Sequence, residues 1–281
     1  MTTSHSALVP SMPVRKLQLR HDPTEAGWLG SNALLTAYFA GLSATFPAAE
    51  GLFIRTVQRA AKGVEDPPLQ ARIKAFIGQE AQHSKQHIYL NRWLTDLGLP
   101  AVEQAERMSQ RVAEKEARFS PEEALAAVTA GEHYTATLAR IFLTQGELLR
   151  DLPDAFRTLM IYHAIEEIEH KSVSFDLYQK TVGDVGLRRR AILEVTAGFS
   201  ITTLRFLLGH ARVLGAGLSL REWRRVAAAF FGPRGIVPVV AREVVDFMRA
   251  DFHPDQTDDS ALIADWARLY PDVAAHTQAV A

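Results

Sequence analysis

The chain has 281 residues and a formal net charge of -1, with 47% hydrophobic and 22% charged residues. That is enough apolar material for a large core, and it lacks the clustered basic excess of a nucleic-acid-binding protein. There is no cysteine, which excludes disulfides, thiolate zinc sites, iron–sulfur clusters and thiolate-ligated haem, so any metal must be held by imidazole, carboxylate, carbonyl or water.

Residues 1–25 contain Pro10 and Pro13 and no apolar segment of a secretory leader. They are expected to form a flexible arm on a cytoplasmic protein. Beyond them, strand alternation is scarce and 3.6-residue periodicity recurs, which predicts an all-α fold. A first helix is expected over about 31–62, stopped by Gly63 and Pro67-Pro68, and a second over about 68–96, ending at Gly98-Leu99-Pro100. A third begins near 102 or after Ser120-Pro121-Glu122-Glu123, which offers an N-cap, an N1 proline and an acidic first turn, and runs to about 150. A fourth covers about 153–181. Together these predict a ferritin-like four-helix bundle over 26–185.

Past residue 186, shorter helices near 188–214, 219–231, 236–250 and 258–270 are joined by Gly-rich or polar turns. They are expected to form a C-terminal extension, 186–281, packed on the bundle. The apolar stretches 26–49 and 191–220 are interrupted by Gly, Pro or charged residues, so no membrane span is expected, although a surface contact by 188–214 stays open. Arg188-Arg189-Arg190 reads as a solvated helix end.

The chemistry lies in the middles of the helices. The second carries Glu80-x-x-His83 and the fourth Glu167-Ile168-Glu169-His170, each a Glu-x-x-His. Residues three apart sit about 60° from each other on one helical face, so both can reach one metal. The first and third helices each place a Glu in an apolar middle: Glu50 in FPAAEGLF and Glu132 in AAVTAGEHYTA. One Glu from each of two helices plus a Glu-x-x-His from each of the others is the ligand set of a two-iron bundle. Four carboxylates would balance the charge of two cations inside a low-dielectric core.

The combination FPAAE, QEAQHSKQH, GEHYTA, HAIEEIEHKSVSFD and the late FHP resembles the bacterial family labelled "predicted metal-dependent hydrolase", a group related to ferritin-like proteins. The site also resembles that of the di-iron arylamine N-oxygenases, whose second Glu-x-x-His is preceded by a further ligand histidine. Here that pattern is His163, Glu167 and His170, and all three share one helical face. That resemblance adds His163 as a seventh ligand and does not extend to the C-terminal hundred residues. His87, one turn beyond His83, is expected to support the ligands rather than bind metal, while His133, Glu166 and Glu169 point elsewhere. Tyr134, Tyr162 and Phe46 are candidate pocket residues. Pro47 should free the Ser43 carbonyl and bend the first helix. His253-Pro254 reads as a structural turn.

The expected activity is a non-haem di-iron oxygenase or oxidase that uses dioxygen on a small organic substrate, fed by a separate reductase or ferredoxin, with a homodimer allowed. The alternative is a di-metal hydrolase using zinc or manganese. Iron storage ranks below both.

Overall fold

The computed structural model describes residues 12–17, 19, 33–215, 219–271 and 277–278. Apart from a two-residue β-ladder, the regular elements among them are helical. The first helix, α1 (Ala33–Ala60), contains Pro47. Proline supplies no N–H and pushes away the carbonyl one turn back. The second helix, α2 (Pro67–Asp96), repairs the gap: Asn91 Nδ2 donates to Ser43 O at 3.3 Å, while Ser84 Oγ separately donates to the Pro47 carbonyl at 3.2 Å. Asp66 caps α2 by accepting from Leu69 N. Gly98, at φ +92, then takes the left-handed conformation that reverses the chain.

Both starts considered for the third helix are helix starts: α3 (Ala101–Glu116) takes the first, and α4 (Pro121–Thr144) begins after Ser120 as the second alternative had it. Ser120 and Glu123 form a complete capping box, which starts α4 afresh. The helix also stops short of 150, giving way to a 3₁₀ turn at Gly146–Leu148. The expected fourth helix divides into α5 (Asp154–His170) and α6 (Val173–Thr181). Tertiary partners hold the turn between them. Lys171 Nζ reaches Thr257 O at 2.6 Å and Asp259 at 2.8 Å, while Arg72 donates to Ser172 Oγ at 2.7 Å.

Helices α1, α2, α4 and α5 surround the core, with fully buried Phe39, Phe76, Phe142 and Phe156. Each such side chain contributes about 1.5–3 kcal/mol by leaving water. The next helix, α7 (Val185–Val213), packs along α1 and α4. It comes so close that a Cβ on Gly41 would lie 3.0 Å from Phe206 Cβ. By length and composition α7 is apolar enough to cross a membrane. Ile192, Phe206 and His210 are buried on it, while Leu193, Ile201, Leu204 and Leu208 are exposed.

Arg188 departs from the solvated end expected of the arginine triplet. It is fully buried, donates to Phe247 O and Arg249 O, and lies over the rings of Phe175, Phe247 and Phe252. Phe247 is the last residue of α9 (Ile236–Phe247) and Arg249 lies two residues past it; α9 follows α8 (Leu220–Phe231) and precedes α10 (Ser260–Leu269). Arg188 therefore staples the end of α9 to α7 through carbonyls at and just past a helix end.

The flexible arm is corrected for residues 12–17. Val14–Arg15 is a strand, β1, paired antiparallel with β2 (Thr277–Gln278), and Val14, Arg15 and Leu17 are buried. The rest of the predicted arm, apart from residue 19, and residues 31 and 32 of the predicted first helix lie outside the described residues.

Candidate metal centre

Glu50 comes from α1, Glu80 and His83 from α2, Glu132 from α4, and His163, Glu167 and His170 from α5. All seven side chains are buried. They converge. His170 Nε2 lies 3.2 Å from Glu80 Oε1, 3.3 Å from Glu132 Oε2 and 3.5 Å from Glu167 Oε2. His83 Nδ1 is 3.7 Å from both Glu80 Oε1 and Glu167 Oε1. His163 Nε2 is 2.9 Å from Glu167 Oε1 and 3.7 Å from Glu50 Oε1. The cluster thus has two lobes, Glu50–His83–His163 and Glu80–Glu132–His170, with Glu167 beside both.

Both oxygens of Glu50, Glu80 and Glu132, together with Glu167 Oε2, His83 Nδ1 and His170 Nε2, are buried without a hydrogen-bond partner. Each such atom costs roughly 1–3 kcal/mol. Lone pairs of two hard or borderline donor types meeting in one place are what divalent cations require, so the residues fit a metal.

The outer partners fix each imidazole with its lone pair turned inward. Gln79 Nε2 donates to Pro13 O and Glu169 Oε2, so Gln79 Oε1 accepts; His170 Nδ1 is 3.1 Å from it and donates, leaving Nε2 for the centre. Glu166 Oε2 accepts from His83 Nε2 at 3.0 Å, leaving Nδ1. Ser43 Oγ donates to Asn91 Oδ1 at 2.7 Å, so His87 Nδ1 donates to Ser43 at 2.9 Å. His87 Nε2 then accepts from His163 Nδ1 at 2.7 Å, leaving His163 Nε2. His87 thus has both ring nitrogens engaged outside the cluster, as a supporting residue.

Charge has accumulated at the centre. Burial, with Glu80 nearby, holds the Glu50 carboxyl well above the usual range, and burial pushes Glu132 up to about 8. Burial alone would lower His83, but Glu166 and Glu80 raise it to about 10. Burial, with His83 close by, brings His163 down to about 4, which suits a neutral ligand. Protons and cations compete for the same lone pairs here.

Of the two places open to Glu166 and Glu169, the helix surface or a salt bridge between elements, the structure has the second: Glu166 is fully buried and held between His83 and Arg15, whose NH1 is 3.0 Å from its Oε1. Glu169 is buried too, paired to Arg15 at 2.7 Å. The sequence did carry a signal. The positions three and four away from Glu166 are Tyr162, His163, Glu169 and His170, so its own helix offers it no lysine or arginine. As expected, His133 turns away, with Nε2 3.0 Å from Glu243 O, and His253 holds a turn against Asp176 at 2.9 Å.

A cavity of about 390 Å³ opens onto this cluster between α1, α3, α4 and α7, with Glu50 and Glu167 in its lining. Phe46, Phe53, Tyr134 and Phe199 form part of its walls. Tyr162 is instead packed behind His83, with its hydroxyl 3.3 Å from Arg15 O.

A family model described as "predicted metal-dependent hydrolase" matches residues 13–258. The chain belongs to this family. No curated protein and no solved structure matches it. The match runs from the β1 segment through the turn after α9, so it takes in most of the helices past residue 186. It also corrects the expected activity. The family's description is that of a metal-dependent hydrolase, not of a dioxygen-activating oxygenase. The ligand geometry that suggested iron redox chemistry is equally a set of hard donors for hydrolytic cations.

Proposed function

We propose that this metal-dependent hydrolase binds two divalent cations through Glu50, Glu80, His83, Glu132, His163, Glu167 and His170, and cleaves a small organic substrate that enters by the cavity. The observation that carries the reading is the convergence of partnerless buried donor atoms at the end of an open apolar cavity. Cations held there would polarise the scissile group and make water more acidic. Manganese and zinc suit the donor set.

The chain's own contributions follow from its geometry. Glu50 and Glu167 are the carboxylates that reach both the cavity and the cluster, so an arriving substrate meets them first. Burial, with Glu80 nearby, holds the Glu50 carboxyl well above the usual range, so a cation arriving there competes with a proton for its Oε atoms. Phe46, whose ring lies 4.5 Å from that of His163 at a 55° tilt, and Phe53 keep bulk water from the ligands.

The test is metal analysis of purified protein, followed by assays on esters, amides and phosphoesters after loading with manganese or zinc. The expected result is about two metals per chain and hydrolysis that E167Q abolishes. A protein that takes up no divalent metal, or a loaded one inert across the panel, overturns the reading.

A further inference from the structure

The cavity lining holds positive charge that neither the metal cluster nor its other carboxylates, Glu123 and Glu194, balance among the described residues. Three basic residues line it: Arg111 and Lys115, one turn apart on α3, and Arg190 on α7. Arg190 is already neutralised, paired to Glu123 at 3.0 Å and near Glu194 at 3.9 Å. The other two have no carboxylate within ion-pair distance among the described residues. Arg111 NH1 is buried and makes no hydrogen bond. Lys115 stretches across the opening, its Nζ only 3.3 Å from where a Cβ on Gly198 of α7 would stand. A buried guanidinium N–H without an acceptor is costly, and a matching anion restores the balance. Lys115 is exposed and Arg111 half-buried, whereas Glu50 and Glu167 are buried, and Phe53, Val112, Tyr134 and Phe199 line the same cavity.

We propose that the substrate is an anionic amphiphile: an apolar chain or ring bearing one carboxylate or phosphate, which Arg111 and Lys115 hold at the mouth while the hydrolysable bond lies against Glu50 and Glu167. This rests on the hydrolase reading of the centre and adds the substrate's polarity to it. The cavity volume lies within the range of small-molecule sites. Its walls leave the anion one cationic place to bind outside the cluster. For an ester, the reaction consumes one water. The bond from acyl carbon to leaving oxygen breaks, and the water oxygen joins the acyl carbon. One water hydrogen ends on the leaving alcohol, and the other leaves with the new acid as a proton.

The test uses ligands that cannot be hydrolysed, so binding is read apart from turnover. Decanoate, decyl phosphate, decan-1-ol and decyltrimethylammonium are titrated calorimetrically into the full chain, with and without chelator. One or both anions should bind about tenfold or more tightly than the alcohol, as expected for a charge-assisted contact, and which anion wins distinguishes carboxylate from phosphate. The R111Q/K115Q double variant should lose that preference while binding the alcohol unchanged, and circular dichroism checks that it folds. R111Q alone, folded and binding the alcohol, should lose most of the preference if the double variant does not fold. Equal binding of anion, alcohol and cation overturns the proposal, as does an anion preference that survives the substitutions or vanishes only with chelator. Anion binding that passes these tests on a loaded protein inert toward every ester, amide and phosphoester would sink the hydrolase reading and leave the anion site standing.

Discussion

Arg15 and Glu166, 151 positions apart in sequence, are joined by a 3.0 Å ion pair, and the other oxygen of Glu166 accepts from His83. The same guanidinium holds Glu169, which accepts from Gln79, which in turn orients His170. One arginine therefore steadies an imidazole in each lobe. Arg15→Gln leaves two buried carboxylates short of a cation, a loss of about 3 kcal/mol in stability. Metal affinity should fall about 10–100-fold. Thermal unfolding and metal titration measure the two effects, and unchanged metal affinity would show that the ring of partners does not position the ligands.

Removing Glu80 or Glu167 should abolish binding of the full metal complement, because each reaches across the cluster. His87→Ala should only weaken it, because its nitrogens serve Ser43 and His163. Metal stoichiometry by elemental analysis separates these outcomes. Complete loss in His87→Ala would place that imidazole among the ligands.

Metal affinity should rise with pH. His83 is raised to about 10 and Glu132 to about 8, so below those values each holds a proton that a cation must displace. Each displaced proton makes affinity climb about tenfold per pH unit until its group is free. Calorimetry in buffers of different ionisation enthalpy, between pH 6 and 8, should show net proton release. Affinity flat over that window would contradict the assignment of these groups as ligands.

At Gly131, beside Glu132, a Cβ would lie 2.6 Å from Phe53 Cζ. Gly131→Ala must turn the Phe53 ring or move α4, at about 1–3 kcal/mol. Because Phe53 lines the cavity, binding of an apolar ligand should weaken along with the melting temperature. A melting temperature and ligand affinity both equal to the parent's would show that the ring moves freely.

Much of this was legible in the sequence because it is written in helical periodicity. Glu80-x-x-His83 and His163-x-x-x-Glu167-x-x-His170 announce their shared faces by spacing, and Ser120-Pro121-Glu122-Glu123 marks a helix start by cap chemistry. The turn at Lys171–Ser172 was not legible, because its hold comes from Thr257, Asp259 and Arg72, distant in the chain. Arg15 and Arg188 were misplaced, and the partner of Glu166 was not legible, for the same reason: a charged residue reads as solvated until its remote partner is seen. The reaction class was underdetermined on physical grounds, since carboxylate and imidazole donors serve redox and hydrolytic cations alike.

The β1–β2 ladder has a practical side. Arg15 pairs with Thr277 across its backbone, so position 277 stands three links from His83, by way of Arg15 and Glu166. A purification handle engineered next to residue 277, or trimming there for crystallisation, tugs on the guanidinium that keeps two imidazoles aimed. Preparations differing only in that tail can therefore differ in how much metal they retain.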